Sequence, residues 1–300
     1  MLMQKLIVSK IFQHTLGVIL ILSCLSCTSN DKTDSKPEIV VSISPQRFFA
    51  EKLLGDIANV RVLVPPGANP ESFDPTPNTL LSLSSCKVFF YMGSLLMEKT
   101  LVNTINENGI KSVDLSNYVP KEIMEAYGSD HICSHPGHVH SSMGDPHYWS
   151  SILGGRAIAK GMFETFQAIF PKHKDLLEKN YDQLIHEMDL LEKEIELLKS
   201  NSSTRSFVIF HPSLSFFSGE WGLSQIAVEH EGKEPTPKHI EKILKEAKDQ
   251  DARAVLLQKE FSSSSVEAIA KSLSLPTHTI NPLSEEWDKE LLATAKAIFN

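Results

Sequence analysis

Five polar residues are placed where they could form one binding site. They are Glu71, His147, His211, Gln258 and Asn281. All but His147 follow apolar runs typical of buried strands, and His147 lies in a separate Asp-Pro-His-Tyr-Trp segment. Open α/β sheets present their binding crevice beyond the carboxyl ends of the strands, so these side chains can meet there.

Two imidazoles and one carboxylate from separate loops suit Zn²⁺, which accepts nitrogen and oxygen ligands in a four-coordinate shell. Each residue alone is a weak signal, because a single histidine after a strand is usually structural and a single loop glutamate is usually solvated. The combination of Glu71, His147 and His211 is more specific. It predicts a metal site.

The motifs of common zinc enzymes and zinc ribbons are missing. The chain has neither a His-Glu-x-x-His segment nor a Cys-x-x-Cys pair. A metal-dependent hydrolase would also need a general base beside a metal-bound water, and Glu260 is the only nearby candidate. A metal-dependent hydrolase therefore stays an alternative to a metal-binding protein at this point.

The elements that would position these residues alternate between short apolar runs and helical patterns. This alternation is typical of parallel β-α-β units, and it occurs in both halves of the chain, which predicts two α/β lobes. Strands are expected at 39–43, 60–64, 88–92, 207–210, 254–257 and 278–280.

A long helix is predicted between the lobes, at residues 172–199. This segment has neither Gly nor Pro and repeats apolar residues at helical spacing, with Pro171 at its start. One rigid helix could join both lobes, with the metal site in the crevice between them. The alternative is a long surface helix within one domain.

The N-terminal residues read as an export signal, because Lys5 and Lys10 precede an apolar run too short for a permanent membrane helix. The run ends in a segment similar to a lipobox, which predicts acylation of Cys24, with Cys27 as the alternative. An ordinary cleaved signal with two incidental cysteines is the other interpretation. We expect an exported protein anchored to the membrane as a lipoprotein.

These observations predict the organisation of the whole chain. The predicted segments are a signal peptide at 1–23, a tether at 24–36, an N-terminal lobe at 37–170 with a histidine-containing loop at 130–141, a linking helix at 171–200 and a C-terminal lobe at 201–300.

The net charge is −8, and loss of the signal would make it more negative. Such a surface argues against nucleic acid and against a polybasic membrane contact, and it suits a body that collects cations. We expect a monomer. Only Cys86 and Cys133 follow the tether, and whether they form a disulfide stays open.

Three motifs occur in order along the chain: Pro-Gly-Ala-Asn-Pro-Glu-Ser-Phe-Asp-Pro-Thr-Pro at 66–77, Asp-Pro-His-Tyr-Trp at 145–149 and Phe-His-Pro-Ser-Leu-Ser-Phe-Phe at 210–217. With the long helix, they resemble the cluster A-I metal-binding proteins of ABC transporters, particularly the zinc-uptake branch. The resemblance implies capture of Zn²⁺ outside the cytoplasm and delivery to an ABC permease and its ATPase. It covers essentially the whole mature chain.

The resemblance also implies ligands. Its second and third ligand positions correspond to His147 and His211, and Glu71 occupies a position that is usually His. His211 favours zinc, whereas Glu71 favours harder metals such as manganese or iron, which remain alternatives. Asn281 and Gln258 occupy two positions that are acidic in many relatives. They would either ligate weakly through an amide oxygen or hold a water or a neighbouring residue.

A short histidine-containing loop precedes the second motif. Relatives in the zinc branch often carry such a loop, which implies a low-affinity collector that hands ions to the crevice. A mobile polar loop is the alternative. The histidines are His131, His135, His138 and His140.

Three further expectations concern the behaviour of the site and its surroundings. Protons should compete with the metal for the imidazoles as the pH falls through their ordinary pKa of about 6.5. The linking helix should permit only small lobe motions. The charged residues 229–235 should be structural or transporter-facing, and a charge run of this kind is by default a solvated face. A metal-binding surface adhesin without a permease is the remaining alternative function.

Overall fold

The computed structural model describes residues 36–128, 144–229, 235–261 and 264–300. The export signal, nearly all of the tether, both candidate acylated cysteines and the four loop histidines lie outside these ranges. Cys133 does too, whereas Cys86 is buried. Within the described ranges, every helix falls short of the length or the apolarity that a membrane-crossing helix needs.

Two parallel sheets of four strands each form the two halves of the described chain. The first contains β1 (Glu38–Val41), β2 (Asn59–Val62), β3 (Val88–Tyr91) and β4 (Lys111–Asp114) in the order β2-β1-β3-β4. The second contains β5 (Ser206–Ile209), β6 (Ser224–Ala227), β7 (Val255–Gln258) and β8 (Thr277–Ile280) in the order β6-β5-β7-β8. The predicted parallel α/β architecture is confirmed.

Two strands were not expected from the sequence, namely β4 and β6. Both are edge strands, and both carry polar residues, as Lys-Ser-Val-Asp and Ser-Gln-Ile-Ala. An edge strand pairs on one side only and needs no continuous apolar run, so the pattern that marks buried strands misses it.

Helices connect the strands of both sheets. They are α1 (Ser44–Leu54), α2 (Pro77–Leu83), α3 (Leu96–Glu107), α4 (Lys121–Tyr127), α5 (Ile152–Ile169), α6 (Lys174–Ser200), α7 (Ser215–Trp221), α8 (Pro237–Asp249), α9 (Ser264–Leu273) and α10 (Trp287–Phe299). Short 3-10 helices lie at Leu115–Tyr118, His147–Ser150 and Pro171–His173.

Hydroxyl side chains define where three of these helices begin. Thr76, Ser151 and Thr236 each accept a hydrogen bond from the backbone N–H three residues further on. Such caps satisfy donors that have no partner inside the helix. Ser151 matters most for the site, because it fixes the start of α5 directly after the His147–Ser150 turn.

The long helix α6 has 27 residues, which corresponds to about 40 Å. Its buried residues recur at helical spacing along one face, and that face contacts α1, α5 and α10. Helix α10 follows the last strand of the second sheet, so α6 contacts elements from both halves of the chain. The lobe boundaries themselves stay a prediction.

A single large apolar core extends through both halves, and a smaller one lies within the second half. Trp287 at the start of α10 packs against Phe49 of α1, with 4.8 Å between ring centroids. Its indole N–H donates to the carbonyl of Trp149 at 2.6 Å. The Trp149 indole in turn donates to the carbonyl of Pro282 at 2.9 Å. These contacts join the two halves beside the candidate site.

Candidate metal centre

Glu71 lies in the proline-rich loop between β2 and α2. The turn is stabilised locally, because the Asn69 side chain accepts a hydrogen bond from the Glu71 backbone N–H at 2.9 Å. The Glu71 side chain is 40% exposed. The loop therefore brings a carboxylate to the mouth of the site while leaving one side of it open to solvent.

His147 is the first residue of the 3-10 turn His147–Ser150, and it is buried. Asp145 binds it twice, accepting from the backbone N–H at 2.8 Å and from Nδ1 at 2.6 Å. A carboxylate can only accept, so Nδ1 carries the proton and Nε2 is left to face the site. Tyr148 anchors the same turn by donating to the Met92 carbonyl at 3.1 Å.

His211 follows β5 and is held in a similar way. Its Nδ1 lies 3.0 Å from Glu229 Oε2, which again directs Nε2 into the site. Gln258, at the end of the neighbouring strand β7, accepts from the His211 backbone N–H at 3.3 Å and donates to its carbonyl. Phe261 stacks on the imidazole, with 5.3 Å between ring centroids.

Three ligand atoms converge between the two halves. The two imidazole Nε2 atoms lie 3.3 Å apart, and Glu71 Oε1 lies 3.6 Å from His147 Nε2 and 3.4 Å from His211 Nε2. In a tetrahedral zinc shell with bonds of 2.0–2.1 Å, neighbouring ligand atoms are about 3.3 Å apart. The three side chains are thus already spaced as zinc ligands, and among the described residues they form a group able to hold an ion.

The cavity between these side chains is small. Its volume is about 20 Å³, room for a particle the size of one water molecule. Trp149, Phe261, Pro282 and Leu283 contribute apolar walls, and Glu260 contributes a further carboxylate. Such a cavity has room for a single ion between the three side chains.

The electrostatic surroundings of the site favour a protonated His211 when no metal is bound. Burial opposes a charged imidazolium at His211, but hydrogen bonds to Glu229 and Glu71 outweigh it and raise its pKa to about 10. Burial would likewise raise the pKa of Asp145, yet its interaction with His147 lowers it. Burial raises the pKa of Glu260, and the imidazoles of His211 and His147 act in the opposite direction.

The remaining sequence-based candidates are arranged differently. Gln258 is fully buried, and its amide group is occupied by the His211 backbone and by Ser213 Oγ at 3.0 Å. Asn281 is not among the described residues that line the cavity, and its backbone N–H donates to Glu290 at 2.7 Å. This arrangement favours a supporting role for both amides. The loop histidines lie outside the described residues.

Three contributors to the site were missed in the sequence. The sequence shows Asp145 only as part of a motif. It shows Glu229 as part of a charge run that is solvated by default, whereas the Glu229 side chain is 13% exposed and faces His211. Glu229 follows β6 by two residues, so recognition of that edge strand would have placed it at the crevice. Glu260 was considered only as a candidate catalytic base.

Comparisons with known proteins identify the family of the chain. The family model described as ZnuA, the periplasmic zinc-uptake complex component A, matches residues 39–294. The high-affinity zinc uptake system protein ZnuA of Bacillus subtilis is 23% identical over 290 residues, which covers 91% of this chain and 89% of that protein. The zinc-binding lipoprotein AdcA of Streptococcus pneumoniae is 22% identical over 276 residues, 90% of this chain.

The chain spans 54% of AdcA, about half of its length. A crystal structure of ZnuA superposes with a TM-score of 0.75 at 28% identity, covering 88% of this chain and 98% of that one. The similarity therefore extends over nearly the whole described fold, including both sheets and the helix between them.

Proposed function

Since the chain belongs to the ZnuA family of periplasmic zinc-uptake components, we propose that Glu71, His147 and His211 hold the Zn²⁺ that it captures and delivers. The protein is the substrate-binding component of an ABC importer, and its substrate is zinc. It works outside the cytoplasm. Its partners are the importer's permease and ATPase. Zinc is its cargo.

One observation supports the ligand assignment above all others. The two Nε2 atoms and Glu71 Oε1 lie 3.3 to 3.6 Å from one another, the spacing of adjacent ligands around tetrahedral zinc. Each imidazole is also oriented by a carboxylate on its other nitrogen, an arrangement that recurs in zinc sites.

Metal content and competitive titration of the purified protein test this assignment. We expect the wild type to bind Zn²⁺ more tightly than Mn²⁺, and His147→Ala and His211→Ala each to lose most of that affinity. His186→Ala is the matched control, because His186 is exposed on α6, away from the cavity. Equal affinity for the two metals, or full affinity in both site variants, would contradict the proposal.

Stiffness of the two halves is a further part of the proposal. The continuous core and the indole hydrogen bonds of Trp149 and Trp287 support a body that changes little when the ion binds. Release would then require the permease to disturb the site. Solution scattering with and without Zn²⁺ should give nearly the same radius of gyration, and a clear contraction on loading would count against this part.

We also propose a lipid anchor at Cys24, with Cys27 as the alternative, a monomeric state and an ion-collecting role for the loop histidines. The lipobox-like segment supports the anchor. The density of imidazoles supports the ion-collecting role of the loop histidines. Membrane fractionation of Cys24→Ser and Cys27→Ser separates the two cysteines. Replacement of the acylated cysteine should release the protein from the membrane, and replacement of the other cysteine should not.

A further inference from the structure

Glu260 lies in the turn that leaves the second sheet between β7 and α9. This turn is fixed on both sides of the residue. The Lys259 N–H donates to the Ile280 carbonyl at 2.8 Å, and the Phe261 N–H donates back to the Gln258 carbonyl at 3.0 Å. Gln258 and Phe261 both contact His211. The backbone thus holds Glu260 in a defined place beside one of the zinc ligands.

The Glu260 side chain borders the same cavity as Glu71, His147 and His211. Its Oε2 atom is buried and has no hydrogen-bond partner in the part of the chain that the structure describes. A buried carboxylate oxygen without a donor is costly, because it has lost water and gained nothing in return. A cation in the cavity would supply the missing interaction.

Among the described residues, the converging group contains no fourth ligand. Three side chains converge, whereas zinc held without an open catalytic position normally has four protein ligands. The Gln258 amide is occupied by the His211 backbone, and Asn281 does not line the cavity. Among the described residues that border the cavity, Glu260 is the additional carboxylate.

On the premise of the proposed zinc-binding function, we propose that Glu260 is the fourth zinc ligand, binding through a carboxylate oxygen after a side-chain rotation. A rotation is needed because its carboxylate lies outside the group whose ligand atoms are all within 4.8 Å of one another. Glutamate has three rotatable side-chain bonds with several staggered wells, so the change leaves the turn backbone in place. The shell becomes two imidazoles and two carboxylates.

The test compares zinc affinity in the wild type, Glu260→Gln and the control Glu267→Gln. Glu267 is an exposed glutamate on α9, seven residues away, so its replacement removes the same charge without touching the cavity. Removal of a partner outside the metal shell already weakens binding about 10–100-fold. We therefore expect Glu260→Gln to lose at least about tenfold, and Glu267→Gln to bind like the wild type.

Three further measurements separate ligation from a purely structural role. The Co²⁺-substituted protein should show a changed ligand-field spectrum in Glu260→Gln, because one donor atom is replaced. The metal-free variant should keep the melting temperature of the wild type. In a crystal structure with zinc bound, a Glu260 oxygen should lie about 2.0–2.2 Å from the ion.

The outcomes distinguish this inference from the proposed function. If the wild type fails to bind zinc, the proposed function itself is wrong. If the wild type binds zinc while Glu260→Gln binds equally well with an unchanged Co²⁺ spectrum, only the fourth ligand is wrong. A zinc-bound structure in which a water separates Glu260 from the ion would also overturn it.

Discussion

The two halves of the chain have sheets of the same strand order but supply the site in different ways. In the second half, adjacent strands β6, β5 and β7 end side by side, and their ends carry Glu229, His211 and Gln258. These three residues therefore lie in one row along the edge of the sheet. His211 is the proposed ligand, Glu229 orients its imidazole, and Gln258 binds its backbone. In the first half, Glu71 and His147 both come from loops away from strand ends.

The site therefore has a rigid side, His147 and His211, each held by a carboxylate, and an adjustable side, Glu71. His211 is fixed through its backbone, its Nδ1 atom and its ring face. Glu71 is fixed mainly through its turn, and its side chain remains 40% exposed. Preorganised ligands lose little entropy when the ion arrives, whereas an exposed ligand can exchange water for metal at the entrance. We expect the two sides to respond differently to mutation.

The largest effect on zinc affinity should come from replacing His211, and the replacement of Glu71 provides the comparison between the two sides. His211→Ala should weaken zinc binding by at least about 100-fold, because it removes a preorganised nitrogen donor. Glu71→Gln should cost about tenfold, since the amide oxygen can still contact the ion. Isothermal titration with a competing chelator measures both. If Glu71→Gln proves as damaging as His211→Ala, the two sides are equally important for affinity.

The orienting carboxylates should produce the next largest effect. Asp145→Asn and Glu229→Gln keep the size of each side chain but weaken the hold on the Nδ1 atoms, so zinc affinity should fall about 10–100-fold. The same titration measures the loss, and Glu285→Gln, an exposed carboxylate paired with Arg47, is the control. Unchanged affinity in both variants would show that packing alone orients the imidazoles.

The raised pKa of His211 predicts a dependence on pH. Its metal-free pKa of about 10 lies above the unfolded value of 6.5. The proton on His211 therefore stabilises the metal-free protein fully below pH 6.5, and this stabilisation is lost as the pH rises through 10. Zinc must displace that proton, so its affinity should rise by up to about tenfold per pH unit between these values.

Calorimetry in buffers of different protonation enthalpy measures the displaced proton. Near pH 7.5 we expect release of about one proton from His211 per zinc bound. Glu229→Gln should release less, because Glu229 is one of the two carboxylates that raise the pKa. Equal and negligible release in both proteins would show that His211 is already neutral without metal.

Much of the fold and of the candidate site could be predicted from the sequence, but unevenly. The apolar runs around Val40, Phe89 and Val208 marked the central strands, and Glu71, His147 and His211 were singled out by type and position. The structure brings all three together. Their role as ligands stays a prediction.

What the sequence could not show depends on tertiary contacts. Glu229 looked like part of a solvated charge run, because β6 lacks the apolar pattern of a buried strand. The contact between Asp145 and the His147 imidazole depends on how the chain turns between these two residues. Glu260 becomes notable only when its buried oxygen is found to lack a donor among the described residues. None of these features has a periodic signal.

The smallest expected effect concerns the contact between the two halves rather than the ligands. Trp287→Phe removes the N–H that bonds the Trp149 carbonyl, so the free energy of unfolding should fall by about 1–2 kcal/mol. Trp221→Phe is the matched control, because the buried Trp221 N–H has no hydrogen-bond partner among the described residues. Denaturant titration should show the larger loss for Trp287→Phe, with zinc affinity little changed in both. An equal loss in the two variants would mean that ring packing, and not this hydrogen bond, joins the two halves.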